Sequence, residues 1–245
     1  MRQKKTLRLF TTEIPELDNM KNKIWFFGDS FTYGDGCVEE RPPNGEYYKL
    51  KPRGVLWRKG LADHFNMVGI NKSMSGASND WIINSLIDEL LNIQPNDIVV
   101  VGITWPERFQ IIDKRSNTHK NVIAHHFTEP PEISTLVLDD KDRKYNKELF
   151  ELLNLYFIEY RVQHGSLLKK YQWNQALKIL KKLEQSNVKF LLWDLKNLWD
   201  YETIDDVIGN GDRHWSWKGH NDWMLKCVEL LENNQTEFKQ HSEYE

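Results

Sequence analysis

The sequence predicts a three-layer α/β/α domain around a central, mostly parallel sheet, and two observations predict it. Short, continuous apolar runs recur at Ile24–Phe27, at Asp97–Thr104 (DIVVVGIT) and at Lys189–Leu195 (KFLLWDL), with a weaker one at Met67–Asn71. A strand covered by helices on both faces reads as such a run rather than as alternation. Between the runs lie segments with helical apolar spacing, and strand-helix alternation builds a parallel sheet. At 245 residues the chain is within the range of one α/β domain with a sizeable core.

Taken in order, residues 1–22 mix charge, short apolar pieces and Pro15, and are expected to form an arm ahead of a domain spanning 23–235. Ile24–Phe27 opens that domain as its first strand. Glu39–Arg53 (EERPPNGEYYKLKPR), rich in Pro, Gly and charge, reads as a long loop whose Tyr47, Tyr48 and Arg53 could border a cleft. Val55–Phe65 has helical spacing and precedes the short strand at Met67–Asn71. WIINSLIDELLNI carries Ile82, Ile83, Leu86, Leu90 and Leu91 at helical intervals until Pro95 stops it. After the Asp97–Thr104 strand, residues 105–146 look like an insertion over the end of the sheet, with three prolines and the charged run DDKDRK. Helices are expected over Lys147–Val162 and Leu167–Gln185, a strand over Lys189–Leu195, and a closing helix over Trp217–Glu232. The tail 236–245 is expected to fray.

Composition narrows the function classes. Hydrophobic residues at 40% and charged residues at 28% exclude a disordered chain, and a net charge of −3 gives no electrostatic reason to bind nucleic acid or an anionic membrane. No apolar run is long enough to span a bilayer, and the basic N-terminus lacks a secretory apolar core, so a cytoplasmic location is expected. Cys37 and Cys227 show neither metal nor disulfide spacing and read as reduced packing thiols. The ten tryptophans could stack on sugars, although core packing accounts for most tryptophans. No oligomeric state is legible.

Two stretches carry chemistry. In Ile24–Gly36 (IWFFGDSFTYGDG) a buried strand delivers Ser30 to the carboxyl edge of the sheet, where open α/β folds place their ligands. The same tripeptide could be a plain turn in which Asp29 or Ser30 caps a helix. In Gly211–His220 (GDRHWSWKGH), Asp212 and His214 stand two residues apart on an expected loop before the last helix. A serine hydroxyl becomes nucleophilic when a neutral imidazole takes its proton and a carboxylate fixes that imidazole. His220 is the rival base, but it falls within or at the mouth of the helix.

These blocks, together with the isolated glycine of NKSMSGASND, resemble the SGNH (GDSL-type) hydrolase family over roughly residues 24–232. The resemblance implies flavodoxin-like topology and metal-independent hydrolysis of a small acyl ester, such as an O-acetyl group on a small molecule or saccharide, with Ser30, His214 and Asp212 as the triad. It also implies an oxyanion hole made from the Ser30 amide, Gly76, and an asparagine after the third strand. Here the chain departs, because that position is Thr104. Three options follow: Thr104 supplies a hydroxyl donor, Asn79 contributes instead, or the hole is weakened and the chain is a non-catalytic binding or structural module. Arg108 could bind a substrate carboxylate or phosphate, or form an ion pair. No cofactor is expected, since neither GxGxxG nor GxxxxGK[ST] follows any strand. No metal is expected either, as the pair His125–His126 lacks sequence partners.

Overall fold

The computed structural model describes residues 21–35, 56–106, 108–113, 118–122, 155–156, 164–194, 207–209 and 212–238. The expected arm, Cys37, the Glu39–Arg53 loop, the His125–His126 pair and nearly all of the Lys147–Val162 helix lie outside the described residues. Four strands, β1 (Lys23–Phe27), β2 (Val68–Asn71), β3 (Ile98–Ile103) and β6 (Lys189–Asp194), form one parallel sheet in the order β2-β1-β3-β6. The chain leaves β1 toward one edge to make β2, then crosses back to make β3 on the other side. The crevice between the carboxyl ends of β1 and β3 is therefore the topological switch point, where α/β sheets bind ligands.

Strand periodicity explains how so apolar a sheet is buried. Ile24 and Phe26 point to one face and Trp25 and Phe27 to the other. The first face is covered by α2 (Trp57–His64) and α5 (Trp217–Glu232) through Trp57, Leu61, Trp223 and Cys227. The second is covered by α3 (Asn79–Glu89) and α4 (Gly165–Glu184) through Ile82, Leu86, Trp173 and Leu180. Six of the described tryptophans, Trp25, Trp57, Trp173, Trp193, Trp215 and Trp223, are buried in these two clusters, which makes packing rather than sugar stacking their main role.

At the amino end of the sheet, the buried Asp97 carboxylate ties three elements together. It accepts from the Lys23 amide (2.7 Å), the Trp25 indole Nε1 (2.9 Å) and the Gln94 amide (3.0 Å). Asp97→Ala would leave the buried donors unmatched, and a loss of about 3 kcal/mol is expected, readable as a lower urea midpoint with an unchanged slope.

Several elements differ from expectation. Residues 105–146 include an antiparallel hairpin, β4 (Phe109–Asp113) with β5 (Thr118–Val122). α3 ends at Glu89, so Leu90 is its cap and Leu91 is 93% exposed rather than on the core face. Tight turns ahead of Pro95, with Asn92 and Ile93 amides both reaching the Glu89 carbonyl, break the helical period there. Asp212–His214 is not on a loop: β8 (Asp212–Trp215) pairs antiparallel with β7 (Val207–Gly209). Finally, residues 236–238 do not fray. The Leu192 amide donates to Thr236 O and the Phe238 amide to Leu192 O, which covers the outer edge of β6 with main chain.

Candidate active site

Ser30 is the first residue of α1 (Ser30–Tyr33), directly beyond β1, and Asp29 is its cap. Gly28 lets the chain turn so tightly here: a Cβ on it would lie 2.0 Å from Thr32 Oγ1. The capping reading of Gly-Asp-Ser holds, since Asp29 Oδ1 accepts from the Phe31 amide (3.1 Å), and the turn places Ser30 beyond the carboxyl end of β1. Ser30 itself is only 4% exposed.

The neighbouring turn is fastened to this one. The Met74 amide donates to Gly28 O (3.1 Å) and Ser75 Oγ to Asp35 Oδ2 (2.5 Å), on either side of the serine turn. Gly76 sits in that second turn at φ +71°, a left-handed conformation that disfavours residues with a side chain. A Cβ there would meet nothing within 4 Å, so the backbone angle and not crowding calls for glycine.

From the third strand comes Thr104, and its bonds correct the sequence-based expectation. Its hydroxyl donates to Asp29 Oδ2 (2.7 Å) and its amide to Asn79 Oδ1 (2.7 Å). The Thr104 hydroxyl proton is therefore already engaged. Asn79 is likewise committed: Nδ2 donates to Thr104 O (3.1 Å) and to Gln172 Oε1 (2.8 Å), which uses both of its hydrogens. Asn79 braces the end of β3 from inside α3, and neither side chain offers a hydrogen to a reacting oxygen. Arg108 Nη1 completes the cluster, reaching Asp29 Oδ2 (2.9 Å) and Ala77 O (3.4 Å). Of the two expectations for Arg108, the ion pair is present, and its partner is Asp29.

His214 arrives on β8, which packs against α1. Its half-buried ring lies against the ring of Phe31, the residue after Ser30, at a centroid distance of 5.0 Å. The next residue, Trp215, is the anchor that holds this strand in place. It is buried against Phe31 (5.2 Å) and against Trp223 (5.7 Å). Ser216 then caps α5 by accepting from the Gly219 amide. Asp212 stands two positions before His214, at the start of the same strand.

His220 lies inside α5 and is fully buried, with no hydrogen-bond partner for either ring nitrogen. Burial, reinforced by the positive Arg58 and by His214, pushes it down to about 3. The Asp35 backbone opposes burial by favouring the charged ring, without closing a bond of normal geometry. Arg58, itself lowered by burial to about 10, stays charged and donates to Tyr33 O (2.6 Å). A ring so reluctant to take a proton is a poor general base at neutral pH.

No family model and no curated protein matches this chain. Solved structures to which it is similar include a carbohydrate esterase whose active site is described as displaying divergent catalytic and non-catalytic binding functions, at 14% identity and TM-score 0.40, covering 89% of this chain and 72% of that one. Another is an acetyl xylan esterase from Butyrivibrio proteoclasticus, at 12% identity and TM-score 0.41, covering 86% of this chain and 64% of that one. A third is a G-D-S-L family protein from Desulfitobacterium hafniense, at 14% identity and TM-score 0.35, covering 86% of this chain and 99% of that one. All three scores lie below 0.5, too low to carry a functional assignment to this chain.

Sequence reasoning missed the hub of the site, Asp29, which joins β1, β3 and Arg108. The signal was present in the apolar Phe31 after Gly-Asp-Ser, because an acidic cap at a buried turn needs cationic or hydroxyl partners. Among the described residues, no group of three or more His, Cys, Asp or Glu could hold a metal ion, and no helix is long and apolar enough to cross a membrane.

Proposed function

We propose that the protein is a serine esterase that removes a small acyl group, acetyl being the best fit, from an oxygen ester on a small molecule or saccharide. The observation that carries this reading is the His214 ring packed on Phe31, beside Ser30, at the switch point of the sheet. Ser30 Oγ attacks the ester carbon while its proton passes to His214, and the carbonyl electron pair moves onto oxygen. Asp212 orients His214 and stabilises the imidazolium. The amides of Ser30 and Gly76 hold the oxyanion. Collapse of the intermediate breaks the bond to the alcohol, which takes the proton back from His214, and water then releases the acid by the same steps. The low exposure of Ser30 favours a small acyl group over a long chain. The saccharide alcohol rests on the sequence resemblance.

A second reading is favoured by one observation, the engagement of both Thr104 and Asn79 in internal hydrogen bonds. On that reading the chain is a binding module that has lost its oxyanion hole. A fluorophosphonate probe separates the two. Stoichiometric labelling of Ser30, lost in Ser30→Ala and in His214→Ala, is expected for the esterase. An intact wild-type protein that takes up no label at any pH would leave the binding module.

A further inference from the structure

With the Thr104 hydroxyl and both Asn79 amide hydrogens engaged, the oxyanion hole of the esterase reading is one donor short, and Arg108 belongs to the same cluster. Arg108 Nη1 is bonded at once to Asp29, the residue before Ser30, and to the carbonyl of Ala77, the residue after Gly76. The guanidinium therefore bridges the two turns whose amides would face the substrate oxygen. It is held there by a buried carboxylate, since Asp29 is 2% exposed and Arg108 15% exposed at the side chain. A guanidinium carries five N–H donors in a rigid plane. The two bonds described come from Nη1, and Nε and Nη2 have no hydrogen-bond partner among the described residues.

We infer that Arg108 is the third oxyanion donor, taking the role that an asparagine after β3 would otherwise fill; this rests on the esterase reading above. One nitrogen of the fork is fixed by Asp29 and Ala77, and the remaining donors face the carbonyl oxygen as it gains charge. Fixing the fork in advance matters, because a donor that need not reorganise during the reaction stabilises the transition state more than the bound ester. Asp29 makes the arginine dependable in another way. It neutralises the cation in the resting site. Thr104 is then a support for Asp29 rather than a failed asparagine.

The test compares Arg108→Lys and Arg108→Met with the wild type, using p-nitrophenyl acetate, a neutral ester, and the fluorophosphonate probe. Arg108→Lys can keep the ion pair with Asp29, and hence the fold, while losing the planar fork. Both variants are expected to lose about 10²- to 10³-fold in kcat with KM changed less than about threefold, and to react with the tetrahedral-forming probe more slowly by a similar factor. Partial recovery of Arg108→Met by added guanidinium ion, with no effect on wild type, is expected as well. Near-wild-type kcat in a folded Arg108→Lys protein would overturn the assignment, as would a defect confined to KM. If wild type labels at Ser30 but the variants label equally fast, only the role of Arg108 fails. A wild type that never labels removes the esterase reading and this inference with it.

Discussion

Replacing His214 with alanine is expected to lower kcat for a neutral acetyl ester by about 10⁴-fold or more, with circular dichroism and thermal midpoint close to wild type. The half-buried ring contributes one face to Phe31 and little to the core, whereas Trp215 next to it holds β8 in place. Losing the ring should remove the proton acceptor without removing the strand. The matched control is His220→Phe. His220 has no hydrogen bond to lose, and its ring sits edge-on to Trp215 at 5.7 Å, a contact phenylalanine can keep. Activity within about tenfold of wild type is expected for that variant. The opposite pattern, with His214→Ala active and His220→Phe dead, would assign the base to the helix instead.

The contrast between these two histidines also shows what could and could not be read from sequence. The strand runs were legible because a sheet covered on both sides needs apolar residues at every position, and β1, β3 and β6 lie where Ile24–Phe27, Asp97–Thr104 and Lys189–Leu195 predicted them. Only order and spacing in the sequence suggest His214 and Ser30 as a pair. The hairpin that carries Asp212 and His214 was not, because three- and four-residue strands such as β7 and β8 leave no period to detect. The partners of Asp29 were equally hidden. Thr104 and Arg108 are some 75 and 79 positions away from it, and the sheet order alone brings them together. Thr104 read as a substitution for asparagine because the sequence shows residue identity and not hydrogen-bond direction. Asn79, a candidate donor by sequence, is fully engaged because α3 presses it against the end of β3.

Acid should destabilise the fold, and His220 should account for much of the loss. The unfolded imidazole takes a proton near 6.5, while the buried ring resists one until about 3. Between those values the unfolded chain binds the extra proton, so stability is complete above about pH 6.5 and falls as the pH drops toward 3. One proton gives a slope of about 1.4 kcal/mol per pH unit, and the full span amounts to about 5 kcal/mol, a large part of what a domain of this kind has to lose. Burial sets the direction; the Asp35 backbone opposes it, and Arg58 and His214 act with it. Carboxylates elsewhere also take up protons on acidification, so the measurement is a difference between two proteins. Urea unfolding of wild type and His220→Phe should give similar free energies at pH 7.5. At pH 4.5 the variant should be the more stable by about 2–3 kcal/mol. Two stability curves that run parallel from pH 7.5 to pH 4.5 would mean that the ring is hydrated or paired in the folded protein, contrary to its position under Trp215 and Gly34.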